Sequence, residues 1–303
     1  MAAGALPETR ERAVAPKRGR RSTAVTWLVA PALLLFVLFF VLPFGVMALF
    51  SVLTGNPLQQ SGVTFTTLHW ARLFEDTLYW ESLLATLRIG LVTTIVALLI
   101  GYPLAHMMAR VRSRLTHALL LMAVLTPMLT GIVVRTFAWI TILSDRGVIN
   151  ATLIDLGLIE QPLRLMYNEF GVTVALVHIF VPFMVLTLVG VIGRIDERIE
   201  EAARVHGASP IRTFVEVTLP LSMPGILAGS LLVFALTISS YVTPYLLGGT
   251  DVLTLPMMIY SQVTASFNPA FAGTLGLLLL SVALVLIVFY NHILARAARR
   301  EVR

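Results

Sequence analysis

The chain has no cysteine, and its only lysine is Lys17, among 303 residues. Without cysteine there can be no disulfide, thiolate metal site or cysteine nucleophile. Lys17 stands in Pro16-Lys17-Arg18-Gly19, so no GxxxxGK[ST] phosphate-binding loop exists and the chain cannot hydrolyse ATP through one. Charged residues amount to 13%, and the long apolar runs contain no Asp or Glu. Transporters driven by protons or sodium usually carry such acids inside their spans. The six histidines, His69, His106, His117, His178, His206 and His292, lack ligand spacing, so no metal site is expected. No constellation of His, Cys and carboxylate supports a membrane enzyme.

What the chain has in quantity is apolar surface: 57% of residues are hydrophobic and the mean hydropathy is +0.88. A membrane-spanning helix needs about 20 apolar residues at ~1.5 Å rise each. Six runs of that kind cover Trp27 to Leu53, Leu83 to Met108, His117 to Leu143, Gly171 to Gly193, Leu221 to Leu247 and Phe271 to Leu294. The expectation is an all-α polytopic membrane protein with six transmembrane helices. One membrane domain covers 24–297, between a flexible basic tail at 1–23 and a short tail at 298–303. The first run is too long for a cleaved signal and no small-x-small site follows, so it reads as an anchor. Gly55 to Trp80 and Ser144 to Phe170 form the longer connections, with apolar segments such as Ala151 to Ile159 predicting short interfacial helices. These surfaces are candidates for receiving a soluble delivery protein. Prolines 31, 43, 103, 127, 182, 224 and 244 interrupt the runs, which requires neighbouring helices to satisfy freed backbone groups. Gly225, Gly229, Ser230, Ser239 and Ser240 allow close helix approach in the fifth run.

Seventeen of the 22 basic residues fall in the N-terminal tail, the second-to-third connection (Arg110, Arg112, Arg114), the loop 194–220 and the C-terminal tail. By the positive-inside rule these segments and both termini face the cytoplasm. This topology also accounts for the net charge of +6. The tail Pro16 to Arg21 therefore reads as a contact with membrane lipid headgroups, not as an arm for nucleic acid.

Between the fourth and fifth runs lies a polar island. Asp196 to His206 predicts a short helix with acids in its first turn, and Gly207 stands where a left-handed cap is wanted. Ser209 is a suitable N-cap and Pro210 suits the first position of a second helical turn. Ala202, Ala203, Gly207 and Ala208 leave a face with little side-chain bulk, onto which a partner's groove could close. The loop's four arginines and five acids leave a net charge of −1, which also fits a plain solvated connector.

Candidates for a solute pathway are few. Arg135 lies deep in the third run, beside Thr136 and Trp139, and His178 is central in the fourth. His178 also suits a hydrogen bond to a neighbouring helix, and Arg88 could reach an interface. The fifth run ends in a cluster of hydroxyls and phenols, with Thr237, Ser240, Tyr241 and Tyr245 as candidates to line a pore or to hold an ammonium group. Arg135 would also suit an anionic or zwitterionic solute.

Glu201-Ala202-Ala203, three residues, Gly207, nine residues, Val217, one residue and Leu219-Pro220 resemble the signature loop of ABC importer permeases. Together with Val134-Arg135-Thr136, Ser240 to Gly249 and Pro256 to Tyr260, the chain resembles permeases of spermidine/putrescine-type importers over most of 24–297. That resemblance implies a type I, methionine-importer-like permease fold in a bacterial inner membrane. It implies partners: a second related permease, two ATPase subunits carrying ATP and Mg, and a soluble substrate-binding protein. Glu200, Glu201, Ala202, Ala203, Gly207, Ala208, Val217, Leu219 and Pro220 become candidates for ATPase coupling. No cofactor is expected in this chain. The alternative is a secondary transporter or channel working without an ATPase.

Overall fold

A computed structural model describes residues 21–54 and 64–301. The chain divides into two compact units after Val46. In the first, α1 (Arg21–Phe36) passes through a π-helical turn, Val37–Val41, into α2 (Leu42–Phe50), which crosses the division. Phe36 stacks on Phe40 and Phe40 meets Phe44 at a tilt, each pair with ring centroids 5.0 Å apart. Pro43 explains the wide turn. It has no N–H for the carbonyl four residues back, and the N–H of Leu42 reaches the Val37 carbonyl five residues back instead. The basic tail expected at 1–23 lies, up to Arg20, outside the described residues.

The second unit contains α3 (Leu68–Glu75), α4 (Thr77–Arg110), α5 (Arg114–Leu129), α6 (Ile132–Leu143) and α7 (Val148–Asp155). They are followed by α8 (Glu169–Ile192), α9 (Glu197–Val205), α10 (Pro210–Thr213) and a second π-helical turn at Phe214–Thr218. The unit ends with α11 (Leu219–Ile238), α12 (Val242–Gly248), α13 (Leu255–Thr264) and α14 (Pro269–Glu301). Helices α3 and α7 occupy the connections where interfacial helices are expected. Helix α14 runs across the boundary expected at 297/298.

Among the described residues, five stretches are long and apolar enough to cross a membrane: Val29–Phe50, Thr77–Arg110, Glu169–Ile192, Pro210–Ile238 and Pro269–Tyr290. The third apolar run departs from a straight span. Helix α5 and the stretch Ile132–Asp155, which α6 opens, meet at 97° across Thr130 and Gly131, both in extended conformation shortly after Pro127. The fifth run is also discontinuous. Ser239 Oγ bonds the carbonyls of Ala235 and Leu236, α11 stops at Ile238, and α12 restarts with Pro244 in its first turn, where no N–H is needed.

Helices α4, α8 and α11 pack most closely, around Ala97, Ala105, Leu176, Met184, Leu188 and Val233. Glycines bring the backbones together: a Cβ on Gly225 would lie 2.9 Å from Val191 Cβ, and one on Gly229 would lie 2.8 Å from Met184 Sδ. A second cluster joins α3, α4, α13 and α14 through Leu73, Tyr79, Leu83, Leu255, Phe271 and Leu275.

Candidate functional site

Loop 194–220 takes the shape its residues dictate locally. Asp196 caps α9 by accepting the Arg198 N–H at 3.0 Å, and Glu197 and Glu200 occupy the first turn, where the helix dipole favours acids. Gly207 adopts φ +88°, a conformation costly for any residue with a Cβ, and turns the chain out of α9. Ser209 then caps α10, with Pro210 at its start. Glu201, Ala202 and Gly207 are exposed, while Ala203 and Ala208 are half-buried. Flanking the glycine turn in sequence, Val205 is 86% exposed and Ile211 77% exposed, two apolar knobs that the sequence reading missed. The signal was there: both are large aliphatics in an otherwise polar segment.

Glu200 does not belong to that face. Its side chain is only 10% exposed and points inward, accepting from Arg110 Nη2 at 2.5 Å and from Thr218 Oγ1 at 3.1 Å. Arg110, the last residue of α4, also donates through Nη1 to the Ile195 carbonyl at 3.1 Å. Burial alone would raise the Glu200 carboxyl. The Arg110 hydrogen bond and charge, the Thr218 hydroxyl and the charge of His106 outweigh it and hold the carboxyl below its ordinary range. Leu219-Pro220 has a local explanation as well. Like Pro43, Pro220 follows a π-helical turn, in which the Leu219 N–H reaches the Phe214 carbonyl, and that turn presents Thr218 to Glu200. Val217, Leu219 and Pro220 are half-buried.

The pathway candidates separate into three groups. Thr136 and Thr237 are buried, with their hydroxyls paired inside the fold. Thr136 bonds Ile132 O and Thr243 Oγ1, and Thr237 bonds Val233 O. Arg135, Trp139 and His178 gather on α6 and α8. Trp139 Nε1–H donates to His178 Nδ1 at 3.2 Å, Arg135 Nη1 donates to the Ile179 carbonyl at 3.5 Å, and Trp139 and His178 line an apolar cavity of about 470 Å³.

Tyr241 and Tyr245 form the third group, with Tyr260, which the sequence reading left out of the pathway. Tyr241 and Tyr260 stack with centroids 4.8 Å apart, and Tyr245 meets Tyr260 at 6.4 Å edge to face. Tyr245 and Tyr260 line an open cleft of about 520 Å³ with Tyr167, Met257, Met258, Ser261 and Gln262. Tyr167 has φ +57°, held by its N–H to the Leu247 carbonyl at 2.8 Å. Gly249 faces it at φ +57°, where a Cβ would lie 2.9 Å from the Tyr167 ring. Such backbone strain gathers where a surface must hold a particular shape. Ser240 is half-buried, with its hydroxyl unpaired. The acids nearest these groups are already paired: Asp251 with Arg164 and Glu169 with Arg88. Among the described residues no group of three His, Cys, Asp or Glu could hold a metal ion.

Comparison with known proteins agrees with this architecture. The chain is 36% identical over 270 residues to the spermidine/putrescine transport system permease protein PotB of Haemophilus influenzae, covering 88% of this chain and 93% of the relative. A bacterial ABC transporter for the acidic polysaccharide alginate superposes with a TM-score of 0.70 at 21% identity, over 90% of this chain and 96% of that one. The inward-facing MetNI methionine transporter does so with a TM-score of 0.55 at 16% identity, over 72% and 94% of the two chains. Residues 97–300 match the family described as binding-protein-dependent transport system inner membrane component. With the signature loop, the spanning helices and a relative matched along nearly its whole length, the chain belongs to that family, the membrane-embedded permease subunits of ABC importers.

Proposed function

We propose that the chain forms part of the translocation pathway of a polyamine importer, with spermidine or putrescine as solute. Whole-length similarity to PotB carries the substrate assignment. The chain's own chemistry supports it: three exposed tyrosines, Tyr167, Tyr245 and Tyr260, line one cleft, and aromatic faces attract ammonium groups by about 0.5–2 kcal/mol each. Among the described residues no Asp or Glu lines the cleft, so tight capture belongs to a soluble binding protein and the cleft holds the solute weakly enough to release it.

In this proposal a second related permease completes the pathway. Two ATPase subunits, holding ATP and Mg, dock from the cytoplasm on the face formed by Glu201, Ala202, Ala203, Gly207 and Ala208 between Val205 and Ile211. Both termini share the cytoplasmic side with that loop.

The test is uptake of labelled spermidine into vesicles holding the chain with its permease partner, ATPases and binding protein. ATP-dependent uptake should be competed by putrescine and not by methionine. Spermidine uptake without ATP or an ATPase would refute the importer. ATP-driven uptake of an anionic solute in place of spermidine would refute the polyamine assignment.

A further inference from the structure

We propose that Arg110 is a positioning residue that makes helix α4 a lever between the ATPase-facing loop and the tyrosine cleft. The inference rests on the reading of 194–220 as the docking loop. One guanidinium holds the loop at three points. It grips the entry through the Ile195 carbonyl, α9 through Glu200 and, because Glu200 also accepts from Thr218, the exit at the π-helical turn. Two aromatic contacts fix the same turn to α4: Phe214 lies edge-on to Tyr102 at 5.5 Å and to His106 at 6.3 Å. The ends of the loop are covalently continuous with α8 and α11, but its side-chain clamp is to α4.

At its other end α4 meets the cleft. Thr86 Oγ1 accepts the Leu255 N–H at 2.9 Å, and Leu255 opens α13, the helix that carries Met257, Met258 and Tyr260 into the cleft wall. Tyr79 and Leu83 pack beneath that helix in the same buried cluster as Leu255. Thr86 to Arg110 is one continuous helix, roughly 36 Å long at ~1.5 Å per residue. An element that stays helical through Pro103 and is bonded at both ends is the kind of connection that carries displacement between distant sites. A push on α9 thus reaches α13 through two polar contacts and one helix.

A Ser261→Cys reporter in the cleft needs no transported solute, and in a chain without native cysteine it is the chain's single thiol. Its modification rate by a water-soluble maleimide is measured in the assembled complex, with and without ATP. With Arg110 present, ATP should change the rate at least threefold. Arg110→Met and, at the far end, Thr86→Val should each reduce that change to under 1.5-fold while the ATPase stays bound. Arg110→Lys keeps the charge but not the planar fork, and should restore part of the response.

An ATP response in Arg110→Met equal to that of the parent overturns the lever, as does a parent cleft that ignores ATP. Loss of the ATPase from Arg110→Met also overturns it, because the clamp would then only shape the docking face. Failure of the docking-loop reading shows separately, as an ATPase that still binds Gly207→Trp. Failure of the polyamine assignment leaves the reporter unaffected.

Discussion

Replacing Gly225 by alanine tests whether α8 and α11, the two stems of the docking loop, are in backbone contact. The new Cβ would lie 2.9 Å from Val191 Cβ, whereas carbon atoms prefer about 3.5–4.0 Å. Val191 Cβ is fixed to its own backbone and no rotamer moves it away, so the helices must part by roughly 0.6–1.1 Å. Overpacking of this kind costs about 1–3 kcal/mol, offset by the ~0.5–1 kcal/mol that alanine gains over glycine in a helix. The net expectation is a loss of up to about 2.5 kcal/mol. Gly229→Ala is the matched control. Its Cβ would meet Met184 Sδ at 2.8 Å, and a flexible thioether can swing aside, so the helix gain should roughly cancel the cost. At about 2–4 °C per kcal/mol, Gly225→Ala should melt below Gly229→Ala by up to about 10 °C when both are followed by thermal aggregation in the same detergent. Equal or reversed midpoints would refute the reasoning, because they would mean that the stems are not held by that contact.

Gly207→Trp should keep the helices intact, since nothing lies within 4 Å of a Cβ there, yet block ATPase co-purification. Gly207→Ala bears the same φ +88° strain without bulk and should retain the ATPase, so parallel loss in both variants would point to strain instead of docking. Tyr260→Ala should raise the spermidine concentration for half-maximal uptake about 2–30-fold, the equivalent of ~0.5–2 kcal/mol, and Tyr260→Phe should leave it within about twofold. Because the Glu200 carboxyl is held below its ordinary range, its contribution is complete above the unfolded carboxylate value near ~4.3 and fades only as pH falls through the lower folded value. Hydrogen exchange over 197–206 should therefore be equally protected from pH 7.5 to 5 after correction for intrinsic rates. Loss of protection between pH 7 and 5 would contradict the depressed carboxyl.

The loop's local form was legible because its determinants are neighbours in sequence: Asp196 and Ser209 each cap the helix that begins at the next residue, and Gly207 turns the chain out of α9. The inward turn of Glu200 was not, since its partner Arg110 lies ninety residues away and only packing brings the two together. Hydropathy also read through the breaks at Thr130-Gly131 and Ser239 to Tyr241, because averaging over a window conceals two or three residues outside the helices inside an apolar run. Thr136 and Thr237 looked like a pore lining for a related reason. A threonine hydroxyl in a helix can bond its own i−4 carbonyl, as both do, and then needs neither water nor ligand.

The clamp at Arg110 also settles a question of parity. Arg110 ends α4 and Glu200 follows α8, so their ion pair puts those two points at one face of the membrane. Between them the chain runs through the bent pair α5 and α6 and then through α8, which crosses once. A pair that dipped in and returned to its starting face would send α8 to the opposite one and leave Arg110 and Glu200 a bilayer apart. With α8 as one crossing, the elbow is therefore a single traverse made in two strokes, and the parity of the chain between α4 and α9 follows from one hydrogen-bonded carboxylate.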